Sequence, residues 1–158
     1  MSISIKITGR VRGILRDAKT GIIIRITPWS KNLVPTVGLV AIANRLGNIA
    51  AAANEGMITY GAVGTGSSTP VVGDTVMLAE NFRKVLATTS VLAGSVLTTE
   101  TFFASGEANA ALTQFALFGE AAAAGADTGT MFEYVNFAGT VTKTVNETLT
   151  VESEITIA

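Results

Sequence analysis

The chain has 158 residues and a formal net charge of −1, and 48% of its residues are hydrophobic while only 15% are charged. It contains no cysteine and no histidine, which excludes disulfides, thiolate or imidazole metal ligands, and Ser–His or Cys–His nucleophiles. Average soluble domains carry about 25% charged residues, so part of this weakly charged surface is expected to be covered by another subunit. The composition favours neither a nucleic-acid partner nor a membrane span, because it offers no excess of basic residues and no apolar stretch of about 20 residues.

Residues 1–31 predict an N-terminal β-hairpin or arm. Apolar and polar side chains alternate along the first strand, a turn is predicted at 17–21, and an isoleucine-rich second strand follows at 22–27. Pro28 ends this strand because proline cannot donate a hydrogen bond to a β-ladder. The basic residues concentrated in this region are predicted to lie on the solvated face of the hairpin.

Four residues of the hairpin region are candidate interface residues. Ile3, Ile5 and Ile7 alternate with polar side chains and would contact a neighbouring subunit; the alternative is that they form an ordinary core strand. Trp29 is the fourth candidate.

Residues 32–56 predict a helical segment with one helix at about 36–47. Thr36 is a suitable N-cap, and Gly47 is followed by a polar residue that favours a stop. Apolar residues surround most of the helix circumference, so we expect the helix to be buried on most sides. Residues 50–53 allow a further turn.

Residues 57–158 predict a series of short strands separated by glycine-containing turns. This pattern is typical of an antiparallel β-sandwich, jelly-roll-like or barrel-like, and the whole chain, 1–158, is predicted to be a single domain. Besides the strands, we expect a short helix at 74–80 and a surface loop at 121–129. The predicted strands are 57–63, 84–92, 95–104, 112–118, 130–137, and a last strand that starts at 141 or 146 and ends at 157.

Two short motifs invite a functional interpretation. Gly64-Thr65-Gly66 follows a strand but lacks the second glycine and the lysine of a phosphate-binding loop, so we expect a turn whose glycines adopt positive φ. Glu80 and Arg83 are predicted to form a structural ion pair at a helix-to-strand junction rather than a reactive site.

The carboxylates do not indicate an enzyme. Glu152 and Glu154 lie on one face of the last strand, and a solvated or interface face is favoured over an acid–base pair. If the protein were a hydrolase, Glu100 and Glu107 would be the residues to replace. No catalytic, cofactor or metal site is predicted, and no EF-hand spacing is present.

Eight short segments form an ordered set along the chain. They are NLV at 32–34 before the helix, YGAVGTG at 60–66, TP at 69–70, DTVMLAENFRK at 74–84, SGEAN at 105–109, FALFG at 115–119, TKT at 142–144 and LTVESEIT at 149–156. In this order they resemble a family of small tailed-phage virion structural proteins, and the N-terminal hairpin is the part least covered. A more distant resemblance is to the N-terminal domain of phage tail-collar fibre proteins, whose Glu-x-Gly-Leu-Phe segment has its Glu and Gly replaced in QFALF at 114–118.

The resemblance implies a virion β-sandwich without a known active site. We expect a capsid decoration (cement) protein, made in the bacterial host cytoplasm and located on the virion, where a dimer or trimer binds the major capsid protein and stabilises the assembled head. The predicted sandwich and the sequence end together, which favours decoration over a receptor-binding fibre.

Two alternatives remain open. The first is a tail, baseplate or fibre-adaptor protein. The second is a carbohydrate-binding module on the virion, which would require Trp29, Tyr60 and Tyr134 to be exposed and coplanar.

Overall fold

A computed structural model describes residues 5–47, 57–92 and 94–158, which form two facing antiparallel β-sheets and one helix. The predicted mainly β sandwich with one helix and an N-terminal hairpin is therefore confirmed. Among the described residues, no helix has the length and apolar character needed to span a membrane. The elements are β1 (Ile7–Asp17), β2 (Ile23–Ile26), β3 (Ser30–Lys31), α1 (Thr36–Gly47), β4 (Ile58–Gly64), β5 (Glu80–Val85), β6 (Thr88–Leu92), β7 (Val96–Phe103), β8 (Ala111–Gly119), β9 (Thr130–Thr142) and β10 (Glu147–Ile157).

The first sheet, called sheet A, has the strand order β2-β1-β10-β7-β6, and β3 continues the edge beside β2 by pairing with β1. β1 and β10 pair along their whole length, from Ile7 opposite Ile157 to Asp17 opposite Glu147. Sheet B has the order β5-β4-β8-β9. β2 and β6 are thus the two edges of sheet A, and the hairpin is an integral part of that sheet.

Alternation along the strands gives two apolar layers. The larger layer fills the space between the sheets and includes Val11, Phe103, Phe115 and Leu149. The smaller layer covers the other face of sheet B and includes Met77, Phe118, Met131 and Tyr134, with Val37 of α1 packed against it. Sheet B is therefore covered on both faces, and much of the outer face of sheet A is left to solvent or to a partner.

The helix lies where the sequence predicts, but the expectation that it is buried on most sides is wrong. Only Gly38 and Ala41 are buried, while Leu39 is 45% and Leu46 77% exposed. A Cβ added at Gly38 would lie 2.9 Å from the carbonyl oxygen of Met131. The helix thus approaches β9 closely along one stripe of small residues, and its other sides face outward. The further turn considered at 50–53 lies outside the described residues.

Two predicted elements are corrected in the segment 74–92. The single strand expected at 84–92 is two strands in different sheets, because the Leu86 amide donates to Thr59 of sheet B (3.0 Å) and the next amide, of Ala87, donates to Glu100 of sheet A (2.7 Å). The short helix expected at 74–80 is absent. Asp74 Oδ2 instead accepts the Val71 amide (2.8 Å) and stabilises a turn that precedes the helix position.

The glycines of the Gly64-Thr65-Gly66 turn serve close packing rather than positive φ, which is found at Gly21, Gly94, Gly129 and Gly139 instead. A Cβ at Gly64 would lie 2.5 Å from Met77 Sδ and 2.8 Å from the carbonyl oxygen of Ala79. A Cβ at Gly66 would overlap Gln114 Oε1. The turn is therefore pressed against the 77–79 segment and β8, which leaves no cradle for a phosphate.

We expect Gly64→Ala to lower the free energy of unfolding by about 1–3 kcal/mol, because the Ala79 carbonyl belongs to the backbone and cannot move aside cheaply. Urea denaturation followed by the fluorescence of the single tryptophan would measure the change. Gly106→Ala is the matched control, since a Cβ there meets no atom within 4 Å. Equal stability of the two variants would contradict the packing argument.

Candidate interaction surface

The most unusual surface of the described residues is the edge strand β2 with its preceding residue. Four isoleucines, named the isoleucine edge here, are strongly exposed: Ile22 by 67%, Ile23 by 48%, Ile24 by 54% and Ile26 by 48%. β1 pairs with one side of β2, and no described strand pairs with the other side. An apolar strand at an open edge is a template for pairing with another chain, so natural proteins usually shield it.

The sequence predicted this strand but did not mark its isoleucines as interface residues. A half-buried strand should alternate apolar and polar side chains, whereas Ile22, Ile23 and Ile24 are consecutive. Consecutive isoleucines normally indicate a strand that is buried on both faces. The sequence signal that was missed is the combination of this apolar run with a predicted turn directly before it and a proline soon after it.

The predicted interface residues at the N-terminus contribute to a second apolar surface, named the N-terminal groove. Ile3 lies outside the described residues, Ile5 is 64% exposed, and Ile7 is half-buried against the core between the sheets. The groove has a volume of about 520 Å³ and separates the start of β1 from α1. Its other apolar lining residues are Leu33, Val34, Leu39, Ile42, Ala43 and Leu46.

Trp29 lies on the outer face of sheet A, between two arginines. The guanidinium carbons of Arg10 and Arg12 are 4.4 and 4.5 Å from the Trp29 ring centroid. Arg10 Nε lies 2.6 Å from Glu154 Oε2, and Arg12 Nε lies 2.6 Å from Glu152 Oε2. The two glutamates therefore share one face, as the strand pattern predicts, and they pair with part of the basic cluster of the hairpin.

The carboxylates predicted for a hypothetical hydrolase are engaged in structural contacts. Glu100 accepts a hydrogen bond from Thr88 Oγ1 (2.8 Å). Glu107 accepts bonds from Lys84 Nζ (2.7 and 2.5 Å) and from the Ala104 amide (2.8 Å). The bond from Lys84 is the main reason that the pKa of Glu107 lies below its ordinary value. This arrangement favours an ionised, fixed Glu107 over a group poised to transfer a proton.

Glu80 and Arg83 form a buried, bidentate ion pair. Nε and Nη2 of Arg83 each lie 2.6 Å from one carboxylate oxygen of Glu80, and the two side chains are 1% and 4% exposed. The pair lies on β5 rather than at a helix end. Gly64 pairs with Glu80 while Val63 pairs with Phe82, so a bulge in β5 brings Glu80 and Arg83 to the same face.

The same arginine fastens the loop 121–129 to sheet B. Arg83 Nη1 donates to the carbonyl oxygen and to Oγ1 of Thr128, both at 2.9 Å, and the guanidinium carbon lies 4.3 Å from the Phe118 ring centroid. This contact set gives Arg83 a structural role.

Glu133 is a buried carboxyl group that the sequence did not single out. It lies between the sheets with no exposure, and its Oε2 accepts a hydrogen bond from Ser153 Oγ (2.5 Å). Its Oε1 has no hydrogen-bond partner among the described residues, although the Asn32 amide lies close by. Burial raises the pKa of Glu133 to about 8, against the smaller opposing effects of Ser153 and Asn32. Glu133 is therefore mainly protonated at neutral pH.

No protein-family model, curated protein or solved structure matches this chain.

The described residues form neither a metal site nor the predicted aromatic platform for carbohydrate. The described residues contain no group of three or more acidic side chains placed to hold a metal ion. The aromatic platform required for a carbohydrate-binding module is not formed, because Tyr134 is 1% exposed and Tyr60 packs against the smaller core layer of sheet B. Trp29 lies between β2 and β3 against the outer face of sheet A, on the far side of the sandwich from Tyr60 and Tyr134.

Proposed function

We propose that this protein is a structural subunit of a tailed-phage virion, and specifically a capsid decoration protein that binds the major capsid protein of the assembled head. The observation that carries the proposal is the N-terminal groove, where Ile5 and Leu46 are 64% and 77% exposed beside the half-buried Ile7. A folded chain that leaves apolar side chains around an open groove is suited to bury them against a neighbouring subunit.

The positions of the resembling segments support this assignment. Segments 60–66, 74–84, 115–119 and 149–156 lie in β4, in the approach to β5 and most of β5, in β8 and in β10, so they contribute strands to both sheets. The hairpin, where the resemblance is weakest, contributes Ile5 and Ile7 to the groove. A common sandwich would thus carry a contact surface specific to one coat protein.

The proposed mechanism is mechanical. The groove and the start of β1 would lie across junctions between coat subunits and remove apolar area from water, at about 25 cal/mol for each Å². Ordering costs subtract from this gain. Repetition over many sites on the head multiplies the remaining stabilisation.

Copy number tests the proposal directly. Quantitative mass spectrometry of virions from the encoding phage should give a simple ratio of this protein to the major coat protein. A handful of copies per particle would reject decoration in favour of a tail, baseplate or fibre-adaptor protein. Complete absence from the particle would reject every virion role.

We also expect Ile5→Lys to reduce incorporation into heads at least tenfold, because a lysine buried against coat protein loses apolar contact and leaves a charge unpaired. Val145→Lys is the matched control, since Val145 is also 64% exposed but lies near the opposite end of the β1–β10 ladder. Incubating each purified variant with undecorated heads and measuring the bound fraction gives the comparison. An equal loss of head binding in both variants would show that the groove is not the surface that contacts the coat protein.

A further inference from the structure

We propose that an apolar pocket at one end of the sandwich binds a small neutral amphiphile, with its apolar chain among isoleucine side chains and its polar head beside Glu133. A medium-chain alcohol is the simplest molecule of this class. The proposal does not rest on the virion function, since it concerns only what the isolated chain binds. It rests on the lining of the pocket and on the polar side chains at its inner end.

The pocket, named the end pocket here, lies between the two sheets beside α1 and has a volume of about 300 Å³. Nine of its ten described lining residues are apolar, and the tenth is Thr89. It adjoins the N-terminal groove, with which it shares Ile7, Val34 and Ile42. Pockets for small molecules begin at about this volume, and an apolar cavity takes an apolar ligand in preference to water. The apolar lining residues from the strands are Ile7, Ile58, Leu97, Phe132, Ile155 and Ile157.

A row of polar side chains lies at the inner end of the end pocket. Thr89 is opposite Thr99, and Thr99 is opposite Ser153, so the three residues form one row across β6, β7 and β10. Directly opposite residues of an antiparallel pair share a face. The next row on this face holds Leu97 and Ile155, which line the pocket. The apolar space therefore ends at hydroxyl groups between the sheets.

Two atoms of this polar layer have no hydrogen-bond partner among the described residues. They are Oε1 of Glu133, which has no exposure, and Oγ1 of Thr99, which is 2% exposed. Glu133 belongs to the layer because its Oε2 accepts a hydrogen bond from Ser153 Oγ (2.5 Å). Buried polar atoms of native proteins are nearly always hydrogen-bonded, so unpaired atoms next to a pocket indicate the polar group of a ligand.

The head of this ligand should carry no charge. None of the described lining residues is charged, and the pKa of Glu133, which burial raises to about 8, keeps this group mainly protonated at neutral pH. A protonated carboxyl group donates and accepts hydrogen bonds, as a hydroxyl group does. A carboxylate or ammonium head would instead be buried without an opposite charge, which is costly.

Titration of the ¹⁵N-labelled full chain with 1-octanol at neutral pH, followed by two-dimensional NMR, tests the proposal. We expect saturable one-to-one binding, with the largest chemical-shift changes at amides of the end pocket. Octanoate, which has the same chain length but a charged head, should bind at least tenfold more weakly. Absence of saturable 1-octanol binding, or equal binding of the two probes, would overturn the proposal.

Leu97→Trp should weaken 1-octanol binding at least tenfold, because the larger side chain fills the pocket. Phe102→Trp is the matched control, since Phe102 lies on the same strand but is 41% exposed on the outer face of sheet A, and it should bind like the wild type. Circular dichroism establishes that both variants are folded. Binding that is insensitive to Leu97→Trp would place the site elsewhere and reject the end pocket.

Replacements of Glu133 test the polar end of the site. Glu133→Leu removes both carboxyl oxygens and should weaken 1-octanol binding at least tenfold, whereas Glu133→Gln keeps a donor and an acceptor and should bind like the wild type. Thr99→Val removes one hydroxyl group at similar shape, should also weaken binding, and serves the same comparison if Glu133→Leu does not fold. Affinities that are unchanged in these variants would show that no head group reaches the polar layer, which would reject the amphiphile.

Discussion

Arg83→Ala should lower the free energy of unfolding by about 3–5 kcal/mol, because it leaves the buried carboxylate of Glu80 without its partner. The loss has three physical parts. Both carboxylate oxygens of Glu80 lose their donors, Thr128 loses the guanidinium that holds the loop 121–129, and the Phe118 ring loses its cation. Urea denaturation at neutral pH measures the total, and limited proteolysis within the loop reports the second part.

Lys84→Ala is the matched control for this prediction. It removes the same charge from the next residue of β5, but the Lys84–Glu107 pair is partly exposed, at 36% and 27%, so the expected loss is at most about 1 kcal/mol. The double variant Glu80→Gln/Arg83→Ala should be more stable than Arg83→Ala alone, since it removes the unpaired charge. Equal stability of the single and double variants would show that the loop and ring contacts, rather than the buried charge, account for the loss.

Local patterns in the sequence were sufficient for much of the fold. Helix α1 was located correctly because Thr36 and Gly47 lie at the two ends of an apolar segment. Strands β7, β8 and β10 were located because turn residues separate their strand patterns. The division of 84–92 into β5 and β6 was not predictable in this way. The strand-like pattern continues through Leu86 and Ala87, and only their partners in distant strands assign them to different sheets.

The candidate surface was predicted less well than the fold, since exposure depends on the final order of strands. A run of isoleucines normally indicates a core strand, and β2 is exposed only because it lies at the edge of sheet A. Glu133 presents the opposite case, a carboxyl group in a strand pattern that gives no sign of burial. Ser153, its hydrogen-bond donor, lies 20 residues away in sequence on β10 of the other sheet.

Glu133 should make the protein less stable as the pH rises. Its pKa of about 8 in the folded chain lies above the ordinary value of 4.5, because burial penalises the carboxylate. Between these values the folded state keeps a proton that the unfolded state has lost, so stability falls by about 1.4 kcal/mol for each pH unit. From about pH 5 to about pH 8 the contribution of Glu133 should be a loss of about 3–4 kcal/mol, and the loss should level off above about pH 9, where Glu133 is ionised in both states.

Glu133→Gln isolates this contribution, because glutamine has a similar shape but does not ionise. The variant should resemble the wild type near pH 5 and exceed its free energy of unfolding by several kcal/mol near pH 8, as measured by urea denaturation at each pH. Glu154→Gln makes the same side-chain replacement on the outer face of sheet A, where Glu154 pairs with the exposed Arg10, and should retain the pH dependence of the wild type. A constant difference between Glu133→Gln and the wild type at all pH values would show that Glu133 has the same ionisation state in the folded and unfolded chain. In that case its carboxylate would be stabilised in the sandwich by Ser153 and Asn32 despite its burial.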